Sequence, residues 1–242
     1  MKIKLGVLAL LLFMSVGANV SAQTAPTIVR GVACSVNDGY SMSDVVEFAR
    51  TIDWNEDTAP SGLFFREAVA VSGEFQMNWD FVISAFYADY ADMVAKRSAF
   101  RNRPGGRVGG ATLSDMMTCG ARVRISRANV ANEGEIFDDT ETTPMGQTAC
   151  DLNGATVGDA IARAAAQGRA LNAYSAVDVR SFGGPTIQQN SQVSMRFVFP
   201  NSESFGESLD SAFENGGFDQ LDDGITCDSG SLWLSHRIYA AN

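Results

Sequence analysis

The stretch ACSVN at residues 33–37 decides the fold, because a near copy of it, ACDLN, recurs at residues 149–153. Each copy is followed by a hydroxyl residue three positions before an aspartate: Ser41 with Asp44, and Thr156 with Asp159. A hydroxyl and a carboxylate at this spacing resemble a capping box, in which both side chains bind backbone N–H groups at the first turn of a helix. These paired signatures predict an internal duplication.

The later parts of the two copies match in the same order. The corresponding positions are Phe86 with Phe199, residues 98–100 (SAF) with 211–213 (SAF), and Cys119 with Cys227. The offset between the copies drifts from 116 to 113 residues and then falls to 108 at the cysteines, and we assign this last shift to the glycine-rich loop 103–110. Ordered matches with a slowly drifting offset favour a duplicated module over chance similarity.

Both copies have the same predicted element order, β-α-β-β-α-β, from their hydrophobic periodicity. In the first copy the strands are 27–36, 63–71, 81–87 and 121–130, and the helices are 44–52 and 90–100. In the second copy the strands are 147–152, 176–182, 193–199 and 231–239, and the helices are 157–171 and 205–213. This order is the split βαβ, or ferredoxin-like, arrangement.

Residues 1–22 are typical of a secretory signal peptide. Lys2 and Lys4 precede an apolar run over residues 6–16, and a small-residue cleavage site ends at Ala22. We therefore expect an exported protein, periplasmic or extracellular, with no membrane association once the signal is removed. The predicted units are the signal peptide 1–22, a first module 23–130, an acidic linker 131–145 and a second module 146–242.

The four cysteines indicate disulfide bonds, because export places them in an oxidising compartment. Their number alone allows three pairings. In a ferredoxin-like module the first and fourth strands are antiparallel neighbours, so that the end of one lies beside the start of the other. The cysteines stand at those positions in each copy, which predicts one bond per module: Cys34–Cys119 and Cys150–Cys227.

The predicted strands are apolar on both faces, notably 63–71 and 81–87, although two helices cover only one face of a ferredoxin-like sheet. The second face therefore needs burial as well. In this respect the chain resembles the dimeric α/β-barrel group, in which ferredoxin-like modules pair into a barrel. We predict an α+β fold of two tandem ferredoxin-like modules packed sheet to sheet as an intramolecular α/β barrel. The resemblance covers about 200 residues and rests on element order.

This resemblance implies a cavity between or beside the sheets that holds a small apolar ligand. The group includes monooxygenases acting on polyketide quinones, haem-degrading enzymes, chlorite dismutase relatives, muconolactone isomerase-like enzymes and stress proteins. Haem-binding members use a histidine ligand, and His236 is the one histidine in this chain. An axial haem ligand is one interpretation of His236; a surface or pocket-rim imidazole is the favoured one.

Charged residues inside predicted strands are candidates for a pocket, because a buried charge needs a partner. The candidate pocket residues are Arg66, Trp79, Asp80, Asp178, Arg180 and His236. Asp178 and Arg180 are two residues apart and therefore share one face of their strand. An exposed edge strand or a structural ion pair is the alternative for the strand charges, and a strand-entry turn is the alternative for Trp79 and Asp80.

Composition and missing motifs limit the function. The net charge of −10 excludes a nucleic-acid partner, and one histidine excludes the usual multi-histidine metal sites. Neither a G-x-S-x-G elbow nor a phosphate-binding G-x-x-x-x-G-K-[ST] loop occurs. We therefore expect no metal and no cofactor, and we favour a non-catalytic small-ligand-binding or interaction module. The alternative is a cofactor-independent monooxygenase or isomerase of the dimeric α/β-barrel type. The oligomeric state stays open.

Overall fold

A computed structural model describes residues 27–71, 79–102, 112–134, 142–183, 193–214 and 223–240. The first-half elements are β1 (Thr27–Val36), α1 (Met42–Arg50), β2 (Gly62–Ala70), β3 (Phe81–Tyr87), α2 (Tyr90–Asn102), the short α3 (Leu113–Met116) and β4 (Met117–Asn132). The second-half elements are β5 (Thr142–Leu152), α4 (Val157–Ala170), β6 (Tyr174–Gly183), β7 (Val193–Val198), α5 (Ser202–Glu214), β8 (Ile225–Cys227) and β9 (Ser231–Ala240). The predicted element order is therefore present in both halves, with α3 and β8 as additions.

Both predicted capping boxes are confirmed. At the start of α1 the Asp44 N–H donates to Ser41 Oγ over 3.2 Å, and the Ser41 N–H donates to Asp44 Oδ2 over 2.7 Å. Thr156 and Asp159 repeat both bonds at the start of α4. Each box satisfies N–H groups that have no partner within the helix, which is why the helices begin at these residues.

The strands form one antiparallel sheet that closes on itself. Its strand order is β7-β6-β4-β1-β3-β2-β9-β5-β8, and β7 also pairs with β5. Eight strands therefore form a ring, and β8 is attached to the end of β5.

The two halves are joined edge to edge, by β2 with β9 and by β4 with β6. We expected two sheets packed face to face; the structure instead has one continuous sheet. Pairing satisfies the backbone N–H and C=O groups that two separate sheets would leave exposed along their edges.

Two apolar cores lie between the sheet and the helices, one in each half. In the first, Val45 and Ala49 of α1 pack against Phe65 and Phe81 of the sheet. In the second, Ala160 and Ala164 of α4 pack with Met195 and its neighbours. The helices thus cover the outer face of the closed sheet, which leaves its inner face to a separate set of side chains.

Both predicted disulfides are confirmed, Cys34–Cys119 and Cys150–Cys227. In each, the cysteines are direct cross-strand partners, between β1 and β4 and between β5 and β8. Each bond therefore braces one half of the chain.

Several predicted segments lie wholly or partly outside the described residues. The signal peptide 1–22 and the glycine-rich loop 103–110 are among them, as are residues 135–141 of the predicted linker. Strand β4 continues to Asn132 and β5 begins at Thr142, so both strands extend into the segment predicted as a linker. Within the described ranges, no helix is long and apolar enough to cross a membrane.

Candidate functional site

The inner face of the closed sheet can be followed from strand to strand, because cross-strand partners share a face. One row of partners runs Phe86–Val29–Ser126–Arg180 across β3, β1, β4 and β6. The next row runs Arg124–Gly31–Ser84–Phe64–Arg237 across β4, β1, β3, β2 and β9. Along each strand, these residues alternate with residues that belong to the apolar cores under the helices.

Positive charge is concentrated on the inner face of this acidic protein. The arginines placed there by the pairing are Arg66, Arg124, Arg180, Arg196 and Arg237. Among the described ring positions of this face, Asp178 is the acidic residue. Asp151 lies on the same side of β5, but at the end of that strand that pairs with β8 outside the ring. Short buried side chains, including Ser84, Ser126, Ser194 and Ser235, form much of the wall between the arginines.

Two of these arginines meet at a single aromatic ring. The guanidinium carbon of Arg66 lies 5.7 Å from the centroid of Phe86, and that of Arg196 lies 5.3 Å from it. Strand β7, which carries Arg196, is four strands from β3 in the ring of eight, so Arg196 reaches across the interior to Phe86. The side chains are deeply buried: Arg66 is 8% exposed and Arg196 is 1% exposed.

The negative charge close to these two guanidiniums comes from Asp178. Its Oδ1 lies 3.5 Å from Arg196 Nη2, which is a long ion pair. Within the described part of the chain, Arg66 Nε and both Nε and Nη1 of Arg196 have no hydrogen-bond partner. Buried donors are normally satisfied, so these N–H groups mark a place for an acceptor.

The environment of these groups shifts their acidity. Burial, together with the charge of Arg196, lowers the pKa of Arg66 to about 9, and Asp178 and Tyr174 act in the opposite direction. Burial also raises the pKa of the Tyr174 phenol, against the influence of Arg196. The side chains around Arg66 and Arg196 therefore form a buried environment with two guanidiniums and one carboxylate, which favours an anion.

Aromatic side chains stand beside the arginines. Trp233 is on the inner face, paired with Ala68 and Met145, and is 2% exposed. The Trp79 ring stacks on it at a centroid distance of 5.7 Å. Phe64 meets Phe86 edge to face at 5.6 Å. The interior thus combines guanidinium groups with flat apolar surfaces.

The structure brings four of the six predicted pocket residues to this interior. Arg66, Asp178 and Arg180 lie on the inner face, and Trp79 reaches it through Trp233. Asp80 does not join them: its Oδ2 accepts the Val36 N–H over 2.8 Å at an exposed strand end. Asp80 therefore fits the alternative interpretation, in which it belongs to the turn that leads into a strand.

His236 lies on the outer face, away from the arginines. It is the cross-strand partner of Phe65, which belongs to the first apolar core. Its Nδ1 is 3.0 Å from Thr142 Oγ1 and its Nε2 is 3.1 Å from Glu67 Oε2, so both ring nitrogens have partners. No group of three or more metal-ligating side chains occurs among the described residues.

Sequence reasoning missed Arg196 and the aromatic residues Phe86 and Trp233 as components of the site. The sequence did contain a signal for Arg196. Val193 and Met195 are two residues apart in a predicted strand and share its core-facing side, so Arg196, the next residue, faces the opposite side. Nothing in the sequence indicated that Phe86, 110 residues earlier, would lie beside it.

No protein-family model and no curated protein sequence matches the chain. Solved structures resemble its fold. A provisionally named monooxygenase from Fusobacterium nucleatum subsp. nucleatum has a TM-score of 0.53 at 9% identity, over 89% of this chain and 94% of that chain. A provisionally named monooxygenase from Lactobacillus acidophilus has a TM-score of 0.49 at 8% identity, over 89% and 95%. A mutant chlorite dismutase from Candidatus Nitrospira defluvii has 0.47 at 8% identity, over 88% and 92%.

At such low identity the likeness concerns the fold alone. The Fusobacterium protein and this chain share one architecture over nearly their whole lengths. The chain therefore has a mixed α/β fold whose large antiparallel sheet matches dimeric α/β-barrel folds.

Proposed function

We propose that the interior of the closed sheet binds one small organic anion with a flat apolar body. The observation that carries this proposal is the pair of buried guanidiniums, Arg66 and Arg196, with N–H groups that have no partner among the described residues. Eight-stranded closed sheets have an interior that side chains fill or that holds one small ligand. A carboxylate or phenolate would supply the missing acceptors.

Each group has a separate part in this proposal. The guanidiniums bind the anionic oxygens, since a planar fork of N–H donors suits a carboxylate. Asp178 positions Arg196 through their ion pair. Phe86 and Trp233 contact the apolar body of the ligand. The expected small apolar ligand thus becomes an amphipathic one, because the arginines favour a charged end.

The proposed role is that of an exported, non-catalytic binding protein. We assign export to segment 1–22 and a periplasmic or extracellular location to the mature chain. The two disulfides support this assignment, because such bonds persist in oxidising compartments. We also interpret the halves as tandem ferredoxin-like modules, which the matching strand orders β4-β1-β3-β2 and β9-β5-β7-β6 support.

The probe for the binding proposal is 2-naphthoate, a flat aromatic monoanion, titrated calorimetrically into the full chain. We expect saturable binding with one site, and the neutral analogue 2-naphthalenemethanol should bind more weakly. Arg196→Met should weaken 2-naphthoate binding by about 10–100-fold, the range for losing a hydrogen bond to a charged group. Arg127→Met is the matched control, because Arg127 is exposed on β4. Absence of 2-naphthoate binding, or equal losses in both variants, would contradict the proposal.

A second candidate function is a cofactor-independent monooxygenase or isomerase. The observation that favours it is the same buried pair of guanidiniums, because fixed donors in a water-poor site stabilise an oxyanion that develops during a reaction. The test is oxygen uptake with anthrone, whose methylene carbon would become a carbonyl while the second oxygen atom leaves as water. Oxygenation of anthrone predicts uptake above the uncatalysed rate, and Arg196→Met should abolish that excess; a rate equal to buffer alone rejects this monooxygenase activity.

A further inference from the structure

Helices α2 and α5 correspond to each other in the two halves of the chain, yet their exposed sides carry opposite charge. Each helix follows the strand that pairs with the first strand of its half, β3 or β7. The shared SAF triplet, 98–100 in α2 and 211–213 in α5, aligns the helices at an offset of 113 residues. Residues three or four positions apart share one side of a helix, so the two sides can be compared position by position.

The exposed side of α2 is basic and partly apolar. It carries Val94, Arg97 and Arg101, at spacings of three and four residues. Val94 is 63% exposed, Arg101 is exposed and Arg97 is half-buried. The carboxylate of this helix, Asp92, forms an ion pair with Lys96 over 3.1 Å, which leaves Arg97 and Arg101 as the charges of this side. We call these three residues, Val94, Arg97 and Arg101, the α2 surface.

A third guanidinium adds to the positive charge beside the α2 surface. Arg30 of β1 lies on the outer face of the sheet, between Ile28 and Val32 of the first core. The pKa of Arg30 falls to about 10, because the side chain is partly buried and because Arg97 and Arg101 lie near it. Like charges gathered in this way favour an anionic partner.

The corresponding side of α5 is acidic. Four exposed carboxylates follow one another there at spacings of four, three and four residues: Glu203, Glu207, Asp210 and Glu214. We call these four residues the α5 surface. Asp210 and Glu214 align with Arg97 and Arg101, and Glu207 aligns with Val94. None of the four carboxylates forms an ion pair within the described part of the chain, so the α2 and α5 surfaces do not neutralise each other in one molecule.

We infer that the protein self-associates, with the α2 surface of one copy docked on the α5 surface of a second copy. Both surfaces belong to this chain and are opposite in charge at aligned positions, and such complementarity selects a partner and fixes its register. Each helix has 13 residues and is about 20 Å long, so the charged pairs and Val94 fit along one contact. The inference is independent of the proposed binding function, which concerns the interior of the closed sheet.

The contact joins two different surfaces, so it is head-to-tail. A copy can bind one neighbour through α2 and another through α5, which predicts dimers and larger assemblies. A single helix pair is at the low end of interface sizes. We therefore expect association to be weak and to increase with protein concentration.

Charge reversal on each helix tests this inference, by sedimentation velocity of the full chain over a range of concentrations. The first variant combines Arg97→Glu and Arg101→Glu, and the second combines Glu207→Arg, Asp210→Arg and Glu214→Arg. Each should associate at least about tenfold more weakly than the unmodified chain, because like charges then meet across the contact. An equimolar mixture of the two variants should regain association, because each α2 surface then has an oppositely charged α5 surface on the other variant.

The second variant also separates local from overall charge. It lowers the net negative charge of the chain, so general repulsion between copies predicts stronger association, whereas the docked contact predicts weaker association. The control combines Asp38→Arg and Glu47→Arg, two exposed positions before and within α1, and should not weaken association.

Three results would overturn the inference: an unmodified chain that stays monomeric, variants that associate as strongly as the unmodified chain, or a mixture that associates no better than its components. Circular dichroism checks that each variant is folded. If the first variant does not fold because Arg97 also forms a hydrogen bond with Tyr87, Val94→Glu with Arg101→Glu replaces it, since both of these side chains are exposed.

Discussion

At the scale of single residues, Arg66 shows the conflict between stability and the proposed function. Its guanidinium is buried beside a second cation, and the pKa of Arg66 falls to about 9 mainly because burial disfavours the charged form. A charge held in this way costs folding free energy that a hydrocarbon side chain of similar length would not cost. Sites that bind ligands often retain such costs.

We therefore expect Arg66→Met to stabilise the protein while weakening the binding of 2-naphthoate. The gain in the free energy of unfolding at pH 7 should be about 1–3 kcal/mol, as found when buried charges are replaced by apolar residues. Urea denaturation of both proteins measures it. The gain should shrink as the pH rises through about 9, because Arg66 then loses its proton in the folded state and no longer carries a buried charge.

Replacement of Asp178 should change the free energy of unfolding in the opposite direction to replacement of Arg66. Asp178→Asn leaves Arg196 without its carboxylate, and breaking a buried pair in this way costs about 3–5 kcal/mol. Urea denaturation should therefore show Asp178→Asn less stable than the unmodified chain and Arg66→Met more stable. Two destabilised variants would mean that the interior is not in excess of positive charge.

At the scale of elements, the helix starts are set by local hydrogen bonds that owe little to the rest of the fold. Ser41 and Thr156 each accept a backbone N–H at the first turn of their helices. The hydrogen bonds from Ser41 hold the pKa of Asp44 below its usual value, and those from Thr156 do the same for Asp159.

Loss of either cap should lower stability by a similar amount. Ser41→Ala and Thr156→Ala should each reduce the free energy of unfolding by about 1 kcal/mol at pH 7. The pKa of Asp44 is lower in the folded protein than its unfolded value of 3.8. The stabilisation from the Ser41–Asp44 hydrogen bonds is therefore fully present above pH 3.8 and is lost as the pH falls through the folded-state pKa. The effect of Ser41→Ala should therefore be smaller at pH 3 than at pH 7 in urea denaturation. Ser43→Ala, within α1, is the control and should show neither effect.

At the scale of the whole molecule, the two halves share one closed sheet but have separate disulfides. The bonds close loops of 85 and 77 residues within their own halves, whereas the pairs β2–β9 and β4–β6 connect the halves. Backbone pairing along both edges couples the halves, so we expect them to unfold in one transition.

Removing one disulfide should therefore weaken both halves. The double variant Cys34→Ala and Cys119→Ala should lose about 3–4 kcal/mol of unfolding free energy, since the bond limits the entropy of a long unfolded loop. Hydrogen exchange should show lower protection in β7 of the second half as well as in β1. Unchanged protection in β7 would mean that the halves unfold independently.

The closed ring also explains which parts of the site were predictable. The alternation of Arg124 with Val123 and Ile125 was visible, as was the shared face of Asp178 and Arg180, because strand geometry depends on neighbours in the chain. The meeting of Arg66 and Arg196 at Phe86 was not visible, because it depends on strands from different halves. His236 was grouped with the pocket although its parity along β9 puts it on the other face from Trp233 and Ser235.

By itself, the sequence determined the repeated order of strands and helices, the capping boxes and the cysteine pairing. These features depend on residue spacing and on the neighbours that one β-α-β-β-α-β unit brings together. Only the tertiary structure decided that the sheet closes edge to edge, and with it that arginines from distant strands face one interior. The physical reason is that closure satisfies both open sheet edges at once, a condition on the whole chain that no local pattern of residues records.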